Sequence, residues 1–122
     1  MQESTAPLTP ASPGGAVTPI LANGLTATVV AVSPNPGTLE AVDVFNPAAA
    51  AAAYLQFFDA PPDKVVLGTT KPKWSVGIAQ NSARTLTELG LNFRTALSVA
   101  ATTTATGNTA PGTAVDANIG YQ

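Results

Sequence analysis

From Gly24 onward the hydrophobic and polar positions alternate with a period of two, the mark of strands with one face turned to a core. The stretch "LTATVVAVS" predicts a strand with Leu25, Ala27, Val29 and Ala31 on one face and Thr26, Thr28, Val30 and Val32 on the other. "SPNPG" follows as a turn, and "TLEAVDVFN" sets Glu40, Val42 and Val44 against Leu39, Ala41, Asp43 and Phe45. Six consecutive alanines after Asn46 and Pro47 raise the prospect of a helix capped by Asn46. An isolated helix needs roughly 12 to 15 residues even when Ala-rich, and "YLQFF" resumes strand-like alternation, so residues 51–59 are expected to be a strand whose small Ala side chains admit a close neighbour. Next come "KVVLGTT", "KPKWSVGIAQ" with Trp74, Val76 and Ile78 on one face, "NSARTLTELG", and "LNFRTALSVAATTTAT" with Leu91, Phe93, Leu97, Val99 and Ala101 in step. "TGNTAPG" reads as a loop, and "TAVDANIGY" places Val115, Ala117, Ile119 and Tyr121 inward and Asp116, Asn118 and Gly120 outward. Seven or eight short strands separated by Pro, Gly and Asn turns predict an all-β fold over residues 24–122, an antiparallel β-sandwich of jelly-roll or immunoglobulin-like type.

Residues 1–23 form a different region. Pro7, Pro10, Pro13, Gly14, Gly15 and Pro19 exclude helix and central strand there and favour an extended, Pro-rich N-terminal arm. Leu8, Val17 and Ile20 offer apolar anchors for a partner subunit, and prolines such as Pro10 lower the cost of ordering the arm on it. Trp74 has two readings, a core ring or an interface anchor.

Composition narrows the function. Hydrophobic residues make up 45% of the chain, but 23 of its 122 residues are Ala, so the core is thin for its length. Charged residues are 10%, against about 25% in a typical soluble domain, and the net charge is −2. Charge therefore does little to keep copies apart, which suits a surface covered by neighbours or carpeted with uncharged polar groups. A strand-forming Thr-rich tail gives such a wettable, uncharged face. Five Lys and Arg scattered along the chain form no basic stripe, so nucleic acid is not an expected partner. The N-terminus shows no Lys or Arg before an apolar run and no stretch approaches the roughly 20 apolar residues of a membrane span, so neither secretion nor membrane insertion is expected.

Candidate chemistry is sparse. Without Cys or His there is no thiolate site and no imidazole base, and no cofactor is expected. Glu40 and Asp43 are three apart and fall on opposite strand faces. Asp59 and Asp63 flank a Pro-Pro turn as solvated acids beside Lys64, and are the one acidic pair with any prospect as a Ca²⁺ site. None of this assembles a positioned acid and base, so the expectation is a protein that is not an enzyme.

The blocks "YLQFFD", "VVLGTTKPKWSV", "GLNFRTALSVAATTTATG" and the terminal "NIGY", in that order over residues 44–122, resemble the short all-β virion proteins of tailed bacteriophages. The resemblance implies a non-enzymatic particle component made in the bacterial cytoplasm. Such components are oligomeric, often trimers, and contact the major capsid protein or other virion subunits. A capsid decoration or cement protein is the leading expectation, with a neck or tail subunit next. A carbohydrate- or surface-binding sandwich module, using Trp74, Tyr54 and Tyr121, is the alternative from another class.

Overall fold

A computed structural model of the chain describes residues 18–122, with side chains described from Ile20 onward. Leu8, Pro10 and Val17 lie outside the described residues. Nine strands are present among the described residues: β1 (Thr18–Leu25), β2 (Val30–Ser33), β3 (Gly37–Asn46), β4 (Ala53–Phe58), β5 (Trp74–Ile78), β6 (Ser82–Leu86), β7 (Leu91–Phe93), β8 (Leu97–Thr102) and β9 (Val115–Tyr121), with one turn of 3-10 helix at Pro62–Lys64. All strand pairs are antiparallel, in two sheets. One has the order β1-β9-β3-β6, with β7 also pairing β3, and the other the order β2-β8-β4-β5.

The expected sandwich is therefore present, and its connectivity distinguishes between the two types. With β7 set aside as an accessory strand, the other eight pair first with last (β1 with β9), second with seventh (β2 with β8), third with sixth (β3 with β6) and fourth with fifth (β4 with β5). Folding that ribbon over itself adds the pairs β3 with β9 and β4 with β8. This is the jelly-roll order. The core between the sheets takes Leu55, Phe57, Val76 and Ile78 from one side and Val42, Val44, Ala117 and Ile119 from the other. Burying these side chains is the main stabilising contribution, about 1.5–3 kcal/mol for each large one.

Several boundaries differ from the sequence reading, each for a local physical reason. Residues 18–23, expected to belong to the arm, are strand β1 at the edge of a sheet, where Pro19 costs no interior ladder bond. The single strand expected through 24–33 is two strands. Gly24, at φ 68°, bulges β1 and donates its N–H to Asp116 Oδ1 at 2.8 Å, and the chain then crosses at 26–29 into the other sheet as β2. In β3 a bulge at Glu40 lets Leu39 and Val42, three apart, both face the core. The segment "KVVLGTT" is a 3-10 turn and loop, not a strand.

The alanine run is neither helix nor, at residues 51 and 52, strand. Asn46 is wholly buried; its Oδ1 accepts the Ala48 N–H at 3.1 Å and its Nδ2 donates to Ala51 O at 3.0 Å and to Ile78 O at 3.2 Å. That side chain bonds to its own backbone two residues on, an Asx turn that occupies groups a helix would need. Only Ala53 of the run enters β4.

Candidate interaction surface

The two outer faces of the sandwich are unlike. Along β4 and β8 the inward side chains are core, yet Gln56, Ser98 and Thr102, on the opposite side, are also fully buried. Two loops cover them. The 59–73 loop is tied down by Ser98 Oγ, which donates to Ala60 O at 2.6 Å. The 103–114 loop is tied down by Gln56, whose Nε2 donates to Thr102 Oγ1 at 2.6 Å and to Gly107 O at 3.0 Å. The Thr102 hydroxyl in turn donates to Thr104 O at 2.7 Å, and Thr103 N donates to Thr109 O at 2.9 Å. The central strands of this sheet, β4 and β8, are covered on their outside by their own chain.

The five-stranded sheet has no such cover from the described residues. Its outer face is set by the cross-strand register: Leu21 beside Asn118, Asn118 beside Asp43, Asp116 beside Phe45, and Phe45 beside Ala83. Leu21 is 63% exposed and Phe45 42% exposed, two of the four large apolar side chains left open among the described residues. Its two carboxylates each have a partner: Asp116 accepts from Gly24 N, and Asp43 accepts from the Thr85 hydroxyl at 3.0 Å. Two shallow depressions of about 140 and 220 Å³ dimple it, the first between Leu21 and Phe45, the second over Ala41, Leu86 and Ile119. A face with isolated apolar side chains, whose two carboxylates already hold hydrogen-bond partners, can bind another protein surface by shape and apolar burial around those acids.

The lateral edges also differ. On the β5–β6 side Arg84 closes the gap by donating from Nη1 to Gly77 O of the facing sheet at 2.9 Å. On the β1–β2 side the described residues leave the sandwich open: cavities of about 430 and 360 Å³ share Ile20 and Val32 in their walls and run along the edge.

The structure separates the anchors named from sequence. Ile20 packs against the core from β1 and borders this open edge. Trp74 lies in β5, the outermost strand on the opposite side, half-buried and stacked on Phe57 with ring centroids 5.3 Å apart. The exposed Leu21 and Phe45 escape sequence reasoning because alternation marks which residues point away from a core, not whether a loop covers them.

Asp59 does more than sit in solvent beside a turn. Its carboxylate accepts the backbone N–H groups of Thr95 at 2.8 Å, Arg94 at 3.0 Å and Ala96 at 3.4 Å, at the point where the chain passes from β7 in one sheet to β8 in the other. Burial raises its pKa, but the three N–H donors and the nearby Lys73 outweigh that and hold it below its ordinary value. Tyr121 shifts upward, through burial first and the Asp59 charge second, and its hydroxyl donates to Asn35 O at 2.8 Å. Glu40 accepts from Gln122 Nε2 at 2.6 Å. Among the described residues no three acidic groups converge as metal ligands, and no helix is long and apolar enough to cross a membrane.

No protein-family model, no curated protein and no solved structure matches this chain.

Proposed function

We propose that the chain is a structural protein of a tailed-bacteriophage virion, a capsid decoration or cement subunit that joins coat subunits through the outer face of its five-stranded sheet. The observation that carries this reading is the asymmetry of the sandwich: one outer face covered at its centre by loops, the other left uncovered by the described residues and bearing the exposed Leu21 and Phe45. The resemblance of the "YLQFFD" and "GLNFRTALSVAATTTATG" blocks to phage virion proteins supports it, as does the jelly-roll order, an architecture used by viral capsid domains. Contacts of this kind are weak singly; repetition over a symmetric shell and association into a homo-oligomer, a trimer on the resemblance, supply avidity. The reading involves no catalysis, nucleic acid or membrane.

A neck or tail position differs from this only in the partner. The carbohydrate-binding alternative is disfavoured because the aromatic rings serve the fold: Trp74 stacks on Phe57, Tyr121 is buried, and Tyr54 packs against Gly77.

The test is co-sedimentation with heads assembled from the coat protein of the same genome. The chain should pellet to a fixed stoichiometry, and Leu21→Lys combined with Phe45→Lys should stay in the supernatant while keeping its melting temperature, since both side chains are exposed. A chain that binds neither heads nor tails, or a double variant that binds as well as the parent, refutes the proposal.

A further inference from the structure

Of the seven asparagines in the chain, Asn23 alone precedes a glycine. The others precede Pro36, Pro47, Ser82, Phe93, Thr109 and Ile119, where a missing N–H or a side chain on the following residue blocks or hinders its nitrogen from approaching the asparagine amide. Asn23 and Gly24 sit in the bulge of β1, between the Ala22 and Leu25 pairings with β9. Both are exposed, and a Cβ added at Gly24 would meet nothing within 4 Å. Water therefore reaches the pair. Asn23 lines the depression between Leu21 and Phe45, together with Asp43 and Asp116. The Gly24 N–H is engaged there, donating to Asp116 Oδ1 at 2.8 Å.

We propose that Asn23 is a self-modifying site, converted to aspartate or isoaspartate through attack by the Gly24 nitrogen, and that Asp116 latches it by holding that N–H. In the first step Gly24 N forms a bond to Asn23 Cγ and the Cγ–Nδ2 bond breaks. The proton lost from Gly24 N leaves with Nδ2 as ammonia, and a five-membered cyclic imide remains. Water then opens the imide: addition at Cγ leaves aspartate, and addition at the Asn23 backbone carbonyl leaves isoaspartate, whose main chain runs on through Cβ and Cγ. Water is the one co-reactant, and asparagine is among the thermolabile residues.

Two features of the fold restrain the reaction. The Gly24 nitrogen must give up its proton and turn toward the Asn23 side chain, whereas Asp116 keeps the N–H aimed at its own carboxylate, whose negative charge opposes the charge that grows on nitrogen as the proton leaves. Strand pairing on either side, Ala22 with Ala117 and Leu25 with Val115, holds the backbone in place. The latch is one exposed side chain, so it opens when β1 lifts from the edge of its sheet. The product places a third carboxylate in the depression beside Asp43 and Asp116, on the face that bears Leu21 and Phe45. The reaction at Asn23 stands whether or not the virion reading does.

The test is to age the full-length parent, Asp116→Ala and Asp116→Asn in warm neutral buffer and to follow, by peptide mass spectrometry, the replacement of amide by acid at each asparagine and the appearance of isoaspartate at position 23. In Asp116→Ala, Asn23 should convert roughly tenfold faster than in the parent or more, the change expected for losing a hydrogen bond to a charged group. Asn81, exposed and followed by Ser82, should keep its parental rate, which separates a lost latch from a loosened fold. Asp116→Asn retains an oxygen acceptor and should fall between the two. A parental rate at Asn23 in Asp116→Ala, conversion that begins at another asparagine, or acceleration at Asn81 in step with Asn23 would each overturn the proposal.

Discussion

Replacing Gln56 with Met tests whether one side chain holds the covering loop in place. Gln56 is 0% exposed in the middle of β4, and its Nε2 has the Thr102 hydroxyl, the Gly107 carbonyl and, at 3.4 Å, the Thr104 carbonyl within reach. Met keeps the length and removes the donor. Two good hydrogen bonds are lost, each worth a net contribution of about 1 kcal/mol, and Gly107 O keeps its position only if water replaces the amide. Against that, Oε1 of Gln56 is itself buried without a partner, and its removal returns part of the loss. The balance is about 1–2 kcal/mol of destabilisation, which corresponds to a fall of roughly 4–8 °C in Tm for a domain of this size. The position of the loss is the sharper readout. Hydrogen exchange should accelerate at Thr103, whose N–H is held by Thr109 O, and through 103–114, while the β3–β9 ladder stays protected. A Gln56→Met variant with parental stability and an unchanged loop would show that the loop is held by other contacts and would refute the argument.

Two further predictions concern the turns between the sheets. Asp59 has a folded pKa below its ordinary value of 3.8, so its contribution is complete above that value and is lost as the pH falls from there through the folded pKa; Asp59→Asn should be less stable at neutral pH and should lose less than the parent between about pH 4 and pH 2 in acid unfolding followed by circular dichroism. If parent and variant show the same acid dependence, the carboxylate is not the clamp. At Gly37 an added Cβ would meet the Gln122 carbonyl and lie 2.8 Å from the Tyr121 ring, beside the reciprocal bonds of Thr38 with Gln122, so Gly37→Ala should cost about 1–3 kcal/mol in urea unfolding. A neutral Gly37→Ala would mean that the final residues shift freely.

Alternation made the interior of the sandwich legible where a strand runs straight through it. Val115, Ala117, Ile119 and Tyr121 point inward from β9, and Trp74, Val76 and Ile78 share one face of β5, as the pattern predicts. It failed where a distant group interrupts the strand. Leu91 to Ala101 stays in step by sequence, yet the chain changes sheets at 94–96 because Asp59, some 35 residues earlier, collects three consecutive N–H groups there. Likewise Asp116 holds the bulge at Gly24, and Asn46 shapes the alanine run through carbonyls near residue 78. Each is a single polar side chain acting across the fold, and period-two counting sees only neighbours. The candidate surface was half legible: low charge suited a surface covered by neighbours or carpeted with uncharged polar groups, but which face the described residues leave open depends on where the loops fall.

The loop layer over β4 and β8 has a geometric consequence for assembly. A subunit with adhesive sheet faces on both sides can stack on itself without limit, whereas one whose reverse side has Gln56 and Ser98 spent on the strands' own connections presents there a loop surface, with Val66 exposed, in place of a second open sheet. On the proposed reading, such a piece disfavours growth outward: it can tile a shell one layer deep, with loops and not sheet turned to the particle's exterior.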